Sequence, residues 1–222
     1  MSKTAKAILL VVLLVFSFHY AVAEDLTAMT DEELLDLRLK INLELAARYE
    51  PPVLQDGMTL AEIFPDKNLA IFIRDKIGAI SINDQVTQSD LDRVTDVQLT
   101  SDDNTVSSLE GIQYLTNMTL LNVLDQPGAL YIPDCFDALP NLKTIMLRRL
   151  DITELPPSIV NCSTLKALDI SRTPISKLPD DIGNLSSLKK IDISYTQIES
   201  LPASIRLLDL DEFKREGLNL GE

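Results

Sequence analysis

The chain has 222 residues, a formal net charge of −14, 45% apolar residues, 5% aromatic residues and no Trp. That length and apolar content suit one domain with a core, or one domain with an appendage. The acidic excess argues against nucleic acid, whose phosphates need clustered Lys and Arg, and against an anionic membrane surface.

Residues 1–23, within MSKTAKAILLVVLLVFSFHYAVAED, read as a secretory signal peptide. Lys3 and Lys6 supply the positive start, Ala7 to Phe18 the apolar run, and Ala21-Val22-Ala23 the small-residue cleavage pattern, with the cut before Glu24. The apolar run is short for a bilayer span. A secreted or periplasmic chain, with no membrane insertion after cleavage, is therefore expected. His19 is the single histidine and lies in the leader. Ser-His-Asp and Cys-His catalysis and the commonest zinc ligand leave with it. The expectation is a non-enzymatic protein with no cofactor and no metal.

Residues 24–52 read as an amphipathic helical segment ending at Pro51-Pro52. Thr30 with Glu33 reads as a capping box. Leu34, Leu37, Ile41 and Leu45 make one apolar stripe, and Leu35, Leu39 and Leu43 a second. A helix over 30–49 with two such stripes needs cover. Folding back onto the next segment, or pairing with another chain as a homo-oligomer, both answer that need.

Residues 53–93 read as a helical cap. Asp66 to Ile77 has Leu69, Ile73 and Ile77 on one face and Gly78 as its stop. Thr87, with Asp90 three residues on, is the N-cap of a second short helix.

From residue 94 to 208 the apolar positions recur. Val94-x-x-Val97-x-Leu99 is followed by Met118, Leu121, Val123; by Leu142, Ile145, Leu147; by Leu165, Leu168, Ile170; and by Leu188, Ile191, Ile193. Successive units start 24, 24, 23 and 23 residues apart, giving about five repeats. Within each, the last two apolar residues alternate at period two and leave one face of a strand. Leu155-Pro156, Leu178-Pro179 and Leu201-Pro202 share a column where the strand has ended, because Pro cannot donate to a ladder. Ile159, Ile182 and Ile205, with Cys162 and Leu185, then point back inward along a short return arc. A fixed period of this kind means a stacked α/β solenoid whose strands are parallel. Strands pack closer than arcs, so the sheet takes the concave side.

These units resemble the leucine-rich repeat family, in the form L-x-x-L-x-L-x-x-T-x-I-x-x-L-P-x-x-I-x-x-L, and imply a horseshoe with a concave parallel β-sheet and an α-helical N-terminal cap. The family's usual Asn after the strand is replaced by Leu150, Thr173 and Thr196. Thr can partly replace the amide's bonds to adjacent coils, but Leu150 cannot, so the coil around LRRLDITEL is expected to be less regular. The cap FPDKNLAIFIRDKIGAISINDQVTQSDLDRVTDVQL, with SSLEGIQYLTNMTLLNV, resembles that of bacterial internalin-like proteins. That resemblance implies adhesion or host-protein binding for some relatives. With no L-P-x-T-G and no trailing apolar tail, release or periplasmic retention is expected. Some bacterial ubiquitin ligases also carry L-P repeats, but they add a large domain with a nucleophilic Cys. A ligase fragment is the remote alternative.

Residues 209–222 read as a C-terminal cap or tail. Either Leu208-Asp209-Leu210 is a last strand, or Ser204 caps a helix ending near Gly217. Cys135 shares the column of Ser158, expected to be exposed, and Cys162 an inward column, which disfavours a disulfide. Asn117, Asn161 and Asn184 match the glycosylation pattern but recur at one turn column. Ser101 to Asn104 reads as a solvated loop rather than a calcium site.

The outward strand positions are the candidate site. Met146, Asp169 and Asp192 form one column with Gln98 and Asn122; Arg148 lies in the next with Ser171 and Ser194. Arg149, Arg172 and Tyr195 lie beside them, and Lys166 and Lys189 stack with Lys143 just before the strands. Neighbouring strands are about 4.8 Å apart. The expectation is a cationic concave strip that receives the acidic surface of a protein ligand, anchored by Arg148, Arg149, Arg172 and Tyr195.

Overall fold

The computed structural model describes residues 30, 53–101 and 105–218. The helix expected over 30–49 and the leader lie outside the described residues.

Three helices build the cap. α1 (Leu60–Ile63) begins with a capping box: Glu62 N donates to Thr59 Oγ1 at 3.4 Å, and Thr59 N donates to Glu62 Oε2 at 2.8 Å. α2 (Lys67–Ile77) follows the expected stripe, with Leu69, Ile73 and Ile77 buried. Asp66 is its N-cap, and Gly78 ends it in the left-handed conformation at φ 73°. α3 (Gln88–Leu91) carries the expected Thr87–Asp90 capping box.

The strands are β1 (Asp96–Leu99), β2 (Leu120–Leu124), β3 (Thr144–Arg148), β4 (Ala167–Asp169), β5 (Lys190–Asp192) and β6 (Glu212–Lys214). All pair in parallel in the order β1 to β6, one open sheet forming the concave face of a leucine-rich repeat solenoid. Val97, Leu121, Ile145, Leu168 and Ile191 stand opposite one another in register, with Phe213 as the last member. Every aliphatic residue of that column is 1% exposed or less. Burying one such side chain stabilises the fold by about 1.5–3 kcal/mol. The column is therefore the main cohesive element along the stack.

The return arcs are 3₁₀ turns at Ile112–Tyr114, Phe136–Ala138, Pro157–Asn161, Ile182–Asn184 and Ala203–Leu207. Phe136, Ile159 and Ile182 enter the core from them, fully buried.

Three expectations need correction. The C-terminal strand is neither at Leu208–Leu210 nor replaced by a helix from Ser204. It is β6, and it gives a sixth coil beyond the five repeats. Phe213 follows Ile191 by 22 residues, and Arg215 stands where the third apolar residue should be, which hides the unit from a 23-residue period. Ser158 is buried at 7%, and Cys135 is half-buried rather than exposed. Adjacent arcs stack along the solenoid axis, so a side chain aimed along that axis is covered by the next coil. Ser158 uses this position: Phe136 N donates to Ser158 Oγ at 2.9 Å, and Ser158 N donates to Asp134 Oδ1 at 2.7 Å. The Thr173 and Thr196 hydroxyls donate to Ile170 O and Ile193 O, each at 2.8 Å, within their own coils rather than across coils. Leu150 fills the core at 3% exposure and the turn before it is regular, with Arg149 at φ 53° against 60° for Arg172 and 58° for Tyr195; the irregularity expected of this coil lies after it, where 151–156 make no hydrogen bond to 129–133 among the described residues.

Both cysteines are free. Cys162 is buried, and its Sγ lies 3.4 Å from Phe136 O.

Candidate functional site

The coils of β2 to β6 each leave their strand through one left-handed residue. Asp125, Arg149, Arg172 and Tyr195 all have φ between 53° and 60°, and Gly217 closes the series at 73°. A non-glycine residue there costs roughly 1–2 kcal/mol. Interstrand bonds offset it. Asp125 N donates to Arg148 O, Arg149 N to Ser171 O, Arg172 N to Ser194 O, and Tyr195 N to Glu216 O, at 3.2, 3.2, 2.9 and 2.7 Å. The turn thereby aligns the four side chains along one rim of the sheet.

The rim is paired lengthwise. Arg149 Nη1 lies 3.4 Å from Asp125 Oδ2. The Arg172 guanidinium sits 4.5 Å from the centroid of the Tyr195 ring. Tyr195 Oη is 3.3 Å from Glu216 Oε2. The Tyr195 ring also lies against Gly217, where an added Cβ would fall 2.7 Å from its edge. Three of the expected anchors, Arg149, Arg172 and Tyr195, thus share one column.

Inside the rim, Arg148 Nε is 3.8 Å from Asp169 Oδ2, and that nitrogen is buried without a hydrogen-bond partner. Asp169 Oδ1 accepts from Ser171 N and Ser171 Oγ at 3.0 and 2.6 Å. One coil on, Asp192 Oδ1 accepts from Ser194 N at 2.9 Å. The repeated turn fixes both carboxylates on the concave face. Met146, Asp169 and Asp192 line a depression of about 180 Å³ with Lys190, Glu212 and Lys214. Glu212 bridges the two lysines, at 3.4 Å to Lys190 Nζ and 2.9 Å to Lys214 Nζ. Hydrogen bonds from Lys214 and Lys190 hold its carboxyl below the usual range.

Lys143, Lys166 and Lys189 stack at the strand starts. Lys166 N donates to Lys143 O, and Lys189 N to Lys166 O, at 2.8 and 2.9 Å. The row ends in carboxylates: Asp211 N donates to Lys189 O, and Lys189 Nζ reaches Asp209 Oδ2 at 2.6 Å. The hydrogen bond to Asp209 raises the Lys189 ammonium above its ordinary pKa.

Cations and carboxylates therefore interleave on this face. Asp125, Glu212 and Glu216 escaped the sequence reading. Asp125 lies 24 residues before Arg149, so column alignment alone would have found it. The two glutamates belong to the unseen sixth coil.

Among the described residues, no group of three or more His, Cys, Asp or Glu side chains is placed to hold a metal ion. Among them, too, no helix is long and apolar enough to cross a membrane.

Residues 46–92, which take in the three cap helices, match the family model described as the N terminus of bacterial adhesion/invasion proteins. Residues 164–185, the coil of β4, match the Leucine Rich Repeat model. Both matches make the chain similar to bacterial internalin-type leucine-rich-repeat proteins. Internalin H of Listeria monocytogenes is 32% identical over 92 residues, which are 41% of this internalin-like chain and 16% of that protein. Internalin C of the same species is 28% identical over 85 residues, 38% of this chain and 28% of the relative. The matched stretch thus spans less than a third of either protein's length. Among solved structures, an internalin C2 of L. monocytogenes covers 77% of the chain, with 92% of its own length, at 19% identity and TM-score 0.48. Listeria InlP covers 77%, with 55% of its own length, at 22% identity and TM-score 0.49.

Proposed function

We propose that the chain is a secreted or periplasmic, non-enzymatic binding module that docks a protein ligand on its concave sheet. The observation that carries this is the aligned rim and sheet. Arg149, Arg172 and Tyr195 are held in one column by a repeated turn, beside Met146, Arg148, Asp169 and Asp192 on a rigid backbone ladder. Such a surface presents side chains already ordered, which lowers the entropic cost of association. The exposed aromatic–arginine pair is the type of anchor that dominates interfaces. Likeness to a cap model described for adhesion and invasion proteins supports protein recognition, and the leader over 1–23 supports export. The interleaved charges favour a partner of matching mosaic polarity, with acidic groups meeting Arg148, Arg149, Arg172, Lys166 and Lys189.

The test is affinity capture from the extracellular milieu with three baits: wild type, an Arg148→Glu/Arg149→Glu/Arg172→Glu variant, and Lys177→Glu as a surface control. The reading expects a protein retained by wild type and control and lost with the triple variant. Equal retention by all three would remove it.

A further inference from the structure

The loops leaving β2 and β3 part from one another. Residues around Tyr131 turn towards the first coil: Tyr131 N donates to Ser107 O, and Leu109 N donates to Tyr131 O, both at 2.9 Å, forming a parallel bridge at Ser108. Gln126 Oε1, buried in the same loop, accepts from Val106 N at 2.8 Å. Among the described residues, no hydrogen bond joins 129–133 to 151–156 of the following coil. The coils rejoin from Ser158 onward, first through Asp134 and Phe136.

The gap is a cleft of about 410 Å³, inside the ~300–1,000 Å³ range of ligand clefts. Its floor is apolar, made by the buried Leu130, Ile152 and Leu155. Tyr131, 57% exposed, stands on one wall, and Asp151 and Glu154 stand on the other. No Lys or Arg lines it. Asp151 and Glu154 make no hydrogen bond or ion pair among the described residues, whereas the Asp134 carboxylate is engaged by Ser158 N.

We propose that this cleft is a second docking site, on the flank of the solenoid, and that it takes an arginine side chain of a partner polypeptide. Each part of that side chain has a counterpart. The apolar floor accepts the aliphatic stem. The Tyr131 ring offers its face to the guanidinium. Asp151 and Glu154 supply charge-assisted acceptors, which the planar fork uses better than an ammonium does. An acidic or purely apolar group would meet unpaired carboxylates instead. The site does not depend on the concave-face reading, since it shares none of that surface's residues.

The experiment is an amide NMR titration of the full chain with blocked Gly-Arg-Gly, Gly-Lys-Gly and Gly-Glu-Gly peptides at millimolar concentration. Gly-Arg-Gly is expected to shift the amides of 129–132 and 151–155, Gly-Lys-Gly to bind several-fold more weakly, and Gly-Glu-Gly to leave them unmoved. Asp151→Asn/Glu154→Gln and, separately, Tyr131→Ala should each weaken the arginine peptide about tenfold, with the remaining amide spectrum unchanged. Shifts that are absent, spread evenly over the acidic surface, equal for the glutamate peptide, or kept by the Asp151/Glu154 variant would overturn the site.

Discussion

Ser107 donates to a single oxygen of Asp66 from both its amide and its hydroxyl, each at 2.8 Å, across 41 residues of sequence. The other Asp66 oxygen caps α2 through Asn68 N and Leu69 N at 2.9 and 3.1 Å. One carboxylate therefore ties the helical cap to the first coil. Burial pushes the Asp66 carboxyl up, but the bonds from Ser107, Leu69 and Asn68 together outweigh it and hold it below its ordinary value. A lowered folded pKa stabilises the fold above the ordinary value of 3.8, and that contribution is lost as pH falls through the folded pKa. Asp66→Asn should cost about 1–3 kcal/mol at neutral pH. Urea unfolding should show the gap between variant and wild type narrowing below pH 3.8; a gap that stays constant with pH contradicts the assignment.

Gly111 has φ 101°, and a Cβ there would lie 2.3 Å from Ile63 O and 2.5 Å from the Phe64 ring. The first coil meets the cap at this contact. Gly111→Ala should destabilise by at least about 1–3 kcal/mol from the backbone conformation alone, with the steric clash adding to it. Thermal unfolding measures this, and an unchanged midpoint refutes the close approach.

Ile170 is fully buried in the column of Leu147 and Ile193. Ile170→Asp places an unpaired charge in the spine and should abolish cooperative folding. Ile170→Val should cost only about 0.5–1.5 kcal/mol. Circular dichroism melts separate the two, and a folded Ile170→Asp would contradict the inward column.

Burial first, then nearby charge including Asp137, pushes the Cys135 and Cys162 thiols up to about 12. Thiolate is the reactive form. Alkylation at mildly alkaline pH should therefore be slow in the folded chain and rapid for both thiols in denaturant. Quick labelling of the folded protein counts against this packing.

Arg149→Glu/Arg172→Glu reverses two rim charges whose partners, Asp125 and the Tyr195 ring, are themselves at the surface. An exposed pair contributes roughly 0.2–1 kcal/mol. The melting temperature should therefore fall by only a few degrees, while binding of the concave-face ligand is lost. A large stability loss would make the rim a structural rather than a recognition feature.

The inward residues were readable in advance because burial is periodic. Leu121, Ile145, Leu168 and Ile191 recur at 24, 23 and 23 residues, and the same positions stand in register across β2 to β5. α2 and α3 were readable for a local reason. Asp66, Gly78 and Thr87 cap helices through bonds within three residues or so of themselves. The outward columns of Asp169 and Arg148 followed from the same alternation.

What faces those columns from the next coil was decided only by the tertiary structure. The Arg149–Asp125 pair and the Arg172–Tyr195 stack need a left-handed turn that four non-glycine residues adopt, and no local signal marks it. Glu212 reaches Lys190 only because the last coil is one residue shorter than the two before it. The cleft beside Tyr131 opens because that loop pairs backwards to Ser107 instead of forwards to the third coil. Periodicity specifies which side of a coil a residue occupies. Its neighbours are set by the register between coils, which depends on loop length and on long-range hydrogen bonds.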